Sequence, residues 1–241
     1  MRVIVQNVSK MKKSAGIRVM NYLAYYIKEL GYETYVLSPS WDEFNIPVFK
    51  GEICDTDIVI YPEIVKDNPL KAKNVVIYGL YYINHDIDSK WFVINYQDEF
   101  KDNLQSHHVG ENPILTLGSI EPNFFKPAKE KDLDSAIYIG KGMNNWACPY
   151  VPPRQFIITE FFPPQREDLA DFLGRLKILY TYDFCTALIP EALLSGCKVY
   201  LVSKYSVYDA KPDTEKYIAI KERDMQSTKV IMDKIIAFFH L

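Results

Sequence analysis

The sequence predicts an α/β protein made of two βα-repeating halves, each organised around a parallel sheet. Three observations predict it. Short apolar, β-branched runs recur along the chain between polar or glycine-containing stretches, as buried strands do. Some of the intervening segments carry apolar residues at helical spacing, as at Val19, Leu23, Ala24, Ile27 and Leu30. The alternation then restarts near residue 133, after a stretch at 120–127 that two prolines stiffen and two phenylalanines would pin to a surface. Residues 1–125 are therefore expected as one domain and 126–241 as a second, with their parallel sheets facing across a cleft.

The elements follow in order. Residues 2–8 alternate and read as the first strand. Residues 9–16 form a polar loop with Lys10, Lys12, Lys13 and Ser14, closed by Ala15 and Gly16. A helix over 17–30 stops at Gly31, and 33–37 is the second strand. Strand, loop, helix, strand is a Rossmann-like opening, but the loop is not GxGxxG, so it does not point to a dinucleotide. Strands are expected at 57–61, 75–78, 91–96 and 115–117, with polar connections such as 63–73. In the second half, 135–139 is a strand followed by Gly140-Lys141-Gly142, and 156–159 is another. Pro163 and Pro164 introduce a helix over 166–173 that Gly174 ends. A strand at 177–180 is broken by polar residues 181–186. A short helix over 187–194 then holds Pro190 in its first turn, and Ser195-Gly196 ends it before a strand at 199–202. A last strand is expected at 217–220 and a terminal helix at 230–241.

Composition narrows the functions. The 18 Tyr, 13 Phe and 3 Trp are read mainly as packing, although tyrosine also lines sugar- and base-binding clefts. A net charge of −3 offers no basic field for nucleic acid or anionic membrane. Cys54, Cys148, Cys185 and Cys197 show neither metal-ligand spacing nor a disulfide framework, and they read as reduced thiols of a cytoplasmic protein. No segment approaches the roughly 20 apolar residues of a spanning helix, and the apolar run at the N-terminus is too short for a secretory leader. HExxH, GxSxG and Walker motifs do not occur.

The chemistry is expected in the loop at 181–186. A loop outside the carboxyl end of a parallel strand is where α/β sheets bind ligands, and the following helix start favours an anion. Asp183 and Glu191 bracket that loop and helix start. Glu191 would accept hydrogen bonds from ribose hydroxyls, and Thr186 with the N–H groups after it would hold a phosphate. A carboxylate near a helix N-terminus is also a plain structural choice. Lys141, between Gly140 and Gly142, could meet a diphosphate because glycines let the backbone approach a ligand; a solvated turn lysine is the plainer alternative. Arg166 could add positive charge or sit on the helix surface. Gly16 is a turn residue or part of a loop facing the cleft. His85 ends a strand-like run, where it is a candidate site residue or simply a polar loop residue.

These residues resemble the donor-binding signature of retaining GT-B glycosyltransferases of the family-four type: an acidic residue, seven positions, Glu-Ala, a small residue, Gly, then Pro-Val and a strand. It stands here as Asp183, seven residues, then Glu191-Ala192-Leu193-Leu194-Ser195-Gly196-Cys197-Lys198-Val199, with aspartate at the first acid and Lys198 at the usual proline. A bacterial subset with Tyr-Asp-x-x-Thr is similar at Tyr182-Asp183-Phe184-Cys185-Thr186. Ser14-Ala15-Gly16 resembles the N-terminal glycine loop, Phe125-Lys126-Pro127 the domain crossing, and Tyr138 to Gly142 the first donor-domain strand with its phosphate-contacting loop. The resemblance implies a nucleotide-diphosphate-sugar donor, a glycan or lipid-linked acceptor, retention of configuration and no obligatory metal or other cofactor. It implies Asp183, Lys141 and His85 as catalytic residues, and Glu191, Thr186, Tyr182, Gly140, Gly142, Arg166 and Gly16 as donor-binding positions. For two domains of this type 241 residues are few, so trimmed helices or loops, a homo-oligomer or a partner chain are expected. A non-catalytic nucleotide- or carbohydrate-binding module, and a nucleotide-sugar epimerase, are the alternatives, since fold does not decide among them.

Overall fold

The computed structural model describes residues 1–7, 12, 14–103, 112–140, 156–203, 206–211 and 213–241. In chain order its elements are β1 (Arg2–Val5), α1 (Ala15–Glu29), β2 (Glu33–Val36), β3 (Ile58–Pro62), β4 (Asn74–Gly79), β5 (Phe92–Asn95), β6 (Leu133–Tyr138), β7 (Phe156–Ile158), α2 (Arg166–Arg175), β8 (Leu176–Thr181), α3 (Leu188–Leu194), β9 (Lys198–Val202), β10 (Val207–Asp209) and α4 (Lys221–Phe239). They form two compact units, Met1–Ser119 with Ala219–Leu241, and Ile120–Ile218. The expected division put 219–241 in the second domain. In the structure α4 packs on α1, and the chain returns to the unit it started from.

The first unit holds a five-stranded, all-parallel sheet in the order β2-β1-β3-β4-β5. Its central strands β3 and β4 are buried at every position, as expected for a sheet covered on both faces. The crossovers 63–73 and 80–91 contain no helix. Large side chains do the covering: Val65, Leu70, Ile87 and Trp91 pack over the row of Ile4, Val59, Tyr61, Val75, Ile77 and Val93. Phenols then stitch the irregular chain. The Tyr61 hydroxyl donates to Asn68 Oδ1 and accepts from the Leu70 N–H, both at 3.2 Å. This is one use of the high tyrosine content.

The expected strand at 115–117 does not form. The segment makes a single parallel bridge, Asn95 with Ile114. The Tyr78 and Tyr96 hydroxyls donate to the carbonyls of Leu115 and Leu117, so side chains rather than a ladder pair these backbone groups. The helix expected from 230 starts at Lys221. Its first buried positions are the polar Asp224 and Thr228, which continue at helical spacing into Ile231, Met232 and Ile235, so apolar periodicity detects only the later half. Asp224 accepts from the Ile220 N–H at 3.1 Å and from the Tyr26 hydroxyl of α1 at 3.3 Å, which secures that start. Burial raises the Asp224 carboxyl above its ordinary range.

The second unit has a five-stranded sheet in the order β10-β9-β8-β6-β7, parallel except for β10 against β9. One core lies under α2 and α3, with Ala136, Leu173, Leu176, Leu179, Ala192 and Val199 in it. α2 runs past Gly174 instead of ending there. The glycine is needed for close approach, because a Cβ would lie 3.1 Å from the Lys126 carbonyl oxygen. The Lys131 ammonium donates to the carbonyls of Gly174 (3.1 Å), Leu176 (2.7 Å) and Ser195 (2.9 Å), so one cation satisfies the carboxyl ends of both helices. The expected strand at 217–220 is a 3-10 turn, Glu215–Tyr217, followed by one bridge between Ile218 and Ile120. The chain thus enters and leaves this unit side by side. Among the described residues no helix is long and apolar enough to cross a membrane.

Candidate functional site

In the second sheet β6 continues to β7 on one side, while β8 and β9 lie on the other. The order therefore reverses between β6 and β8, and the carboxyl edge of that strand pair is the topological switch point at which open α/β sheets bind ligands. The residues that follow these two strands are Ile139-Gly140 and Tyr182-Asp183. The Tyr182 N–H donates to the Tyr138 carbonyl at 2.9 Å and carries the pairing past the strands.

Gly140 and Asp183 are pressed together there. Gly140 has φ +48, and a Cβ on it would lie 2.6 Å from Asp183 Oδ2 and 2.6 Å from Tyr138 Cε1. Neither the backbone angle nor the space admits a side chain without displacing the carboxylate. Asp183 is only 4% exposed. Its backbone N–H donates to Thr181 Oγ1 at 3.2 Å, and its Oδ1 accepts from the Cys185 N–H at 3.0 Å, an Asx turn that rigidifies the loop. Thr186 closes the loop, with its Oγ1 accepting from the Leu188 N–H at 3.2 Å.

Tyr138 ties the cluster together and was not singled out in the sequence. Burial, followed by the Asp183 charge, raises its phenol above the ordinary range; a hydrogen bond with Thr186 opposes this, and Glu191 and Glu160 add to it. Glu191, in the first turn of α3, is buried. The only sequence signal for Tyr138 was its place at the end of the strand before Gly140, a position that any apolar residue could have held. The ring of Tyr182 packs with Ile137 and Val202, and its N–H makes the main-chain bond at the edge.

The remaining expected residues are placed as follows. Arg166, the first residue of α2, is 3% exposed. Its Nη1 lies 2.5 Å from Glu121 Oε2, an ion pair by distance whose angles do not make a hydrogen bond, and its guanidinium carbon is 4.2 Å above the Phe124 ring. It anchors the 121–125 segment beside α2, a packing role that its expected place on a diphosphate did not include. Gly16 belongs to the first unit and lies in the first turn of α1. A Cβ there would meet only Leu80 Cδ1 at 3.5 Å, so the local geometry does not demand glycine. His85, also in the first unit, joins two crossovers, with Nδ1 3.0 Å from the Asp86 carbonyl and Nε2 2.9 Å from the Glu63 carbonyl. Lys141 and Gly142 lie outside the described residues.

Chemically, the second unit's edge offers a glycine-bared stretch of backbone, two buried carboxylates and a hydroxyl pair at one switch point. Among the described residues no three His, Cys, Asp or Glu side chains converge as a metal site. No family model and no curated protein matches the chain.

Proposed function

We propose that this chain is a glycosyltransferase of the GT-B type that moves a sugar from a nucleotide-diphosphate donor to a glycan or lipid-linked acceptor. The observation that supports the reading is the contact of Gly140 with Asp183 at the switch point, because an expected donor-binding position and an expected catalytic one, forty-three residues apart (140 and 183), meet with no room for a side chain between them. In this reading the donor binds at the carboxyl edge of the second sheet, and Glu191 accepts from the ribose hydroxyls. Asp183 lies beside the donor sugar, with Thr186 and the Gly140 backbone near the phosphates. Lys141 offsets charge developing on the leaving diphosphate, which is electrostatic stabilisation of the transition state. His85 serves the acceptor side. Retention of configuration and independence of metal come with the resemblance.

The test is isothermal titration of the wild-type chain and of Glu191→Ala with UDP, GDP, dTDP and CMP. The wild type is expected to bind one of them. Loss of charged hydrogen bonds to ribose should weaken that binding by about 1.5–3 kcal/mol. A wild-type chain that binds none of the four removes the reading, and unchanged affinity in a folded Glu191→Ala removes Glu191 from the site. The deep burial of Asp183 and its bond to its own loop favour a second reading, a nucleotide- or sugar-binding module without turnover. Donor hydrolysis or transfer by the purified chain decides against that module.

A further inference from the structure

We propose that Phe184 and Tyr208 form a stacking platform for a ring of the ligand held beside Asp183; the inference rests on the nucleotide-sugar reading and deepens it. The two rings are parallel, with planes 12° apart and centroids separated by 6.2 Å. Both are large apolar groups left in water, Phe184 at 43% and Tyr208 at 46% exposure.

Their position sets them apart from other exposed aromatic residues. Phe184 is the residue after Asp183, inside the Asx turn closed by the Cys185 N–H, so its backbone is held rigidly at the switch point. Sheet register locates Tyr208. Tyr138 pairs with Thr181, Thr181 with Leu201, and Leu201 with Tyr208, and directly paired residues share a face. Tyr208 therefore ends the row that Tyr138 begins, on the face where Tyr138 and Leu201 pack against the core under α2 and α3. The platform is thus continuous with the cluster of Asp183, Thr186 and Glu191. A rigid aromatic face beside hydrogen-bonding groups fits a ligand with a ring to stack and several polar substituents. A nucleotide sugar presents two rings that can lie on an aromatic face, the flat base by π-stacking and the chair-shaped hexose by its C–H face.

The experiment titrates wild type, Phe184→Ala, Tyr208→Ala and Phe184→Trp with UDP, GDP and dTDP and with the glucose conjugate of each, alongside thermal melts. Both side chains are exposed, so the melts are expected to be unchanged. Phe184→Ala should weaken binding roughly 5- to 150-fold, the range for loss of one aromatic stacking partner. Tyr208→Ala should act in the same direction, and Phe184→Trp should retain affinity. Loss against both the nucleotide and its glucose conjugate assigns the platform to the base. Loss against the conjugate alone assigns it to the hexose. A wild type that binds while both alanine variants bind equally well overturns the platform and leaves the donor reading standing. A wild type that binds no nucleotide overturns both.

Discussion

The carboxyl edges of the two sheets use similar polar side chains for different ends. At the first edge they stitch loops. The Asn7 amide donates to Asn21 Oδ1 at 3.1 Å while its Oδ1 accepts from the Ser38 N–H at 3.0 Å. Glu63 Oε2 accepts from the Leu80 N–H, and Arg18 donates to the carbonyls of Ser119 and Lys12. His85 spans two carbonyls. Two of its crossovers, 63–73 and 80–91, lack helices and expose backbone groups that must be paired, and Glu63 and His85 pair some of them. The second unit has α2 and α3 to order its chain. Its edge holds one loop through Asp183 and the Cys185 N–H, and it also presses Gly140 onto the same carboxylate. Similar parallel strands thus end in a stitched rim in one unit and in a candidate ligand cradle in the other.

Glycine substitutions test that contrast most strongly. Gly140→Ala should destabilise by about 2–5 kcal/mol, combining the left-handed backbone penalty with overpacking against Asp183 and Tyr138. Urea denaturation measures it, and a midpoint equal to wild type would mean that the contact is not rigid. Loss of Lys131 is expected to be next in size. Lys131→Met leaves three helix-end carbonyls without their cation and should cost about 1.5–3 kcal/mol in the same assay. An unchanged value would show that solvent replaces the ammonium.

Acid tests the opposite rim of the first sheet. Burial by itself would raise the Asp57 carboxyl, but the Arg2 guanidinium and the Cys54 N–H outweigh it and hold it below its ordinary range. A carboxyl lowered in the folded state contributes stability above its unfolded pKa and loses it as pH falls through the folded value. Wild type should therefore lose stability below the ordinary carboxylate range more steeply than Asp57→Asn, and parallel pH profiles would remove Asp57 as the cause. The smallest effect is expected at the other glycine. Gly16→Ala meets only ordinary contact and should leave stability unchanged or raise it by about 0.5–1 kcal/mol. A loss as large as that at Gly140 would erase the contrast between the edges.

Much of the fold was legible in the chain. The strand–loop–helix–strand unit around Asp183 and Glu191 stands within a residue or two of its expected bounds, because apolar runs, Pro190 and Gly196 act locally. The edge strand β10 was missed; Val207, Tyr208 and Asp209 are too few to show an alternating pattern. Gly174 read as a stop because glycine commonly ends helices, whereas its reason here is a carbonyl from a segment almost fifty residues earlier. Arg166 read as a cation for a diphosphate or for the helix surface, and its burial against Glu121, Phe124 and Phe125 depends on a segment some forty residues earlier.

The sequence by itself determined the alternation of strands and helices and the loop in which carboxylates gather, since hydrophobic period and turn chemistry are properties of neighbouring residues. The tertiary structure decided which strand ends adjoin. It set Gly140 against Asp183, returned α4 to the first unit through Asp224 and Tyr26, and brought Tyr208 into line with Tyr138. Those contacts depend on sheet order and register, which arise from packing between residues far apart in the chain.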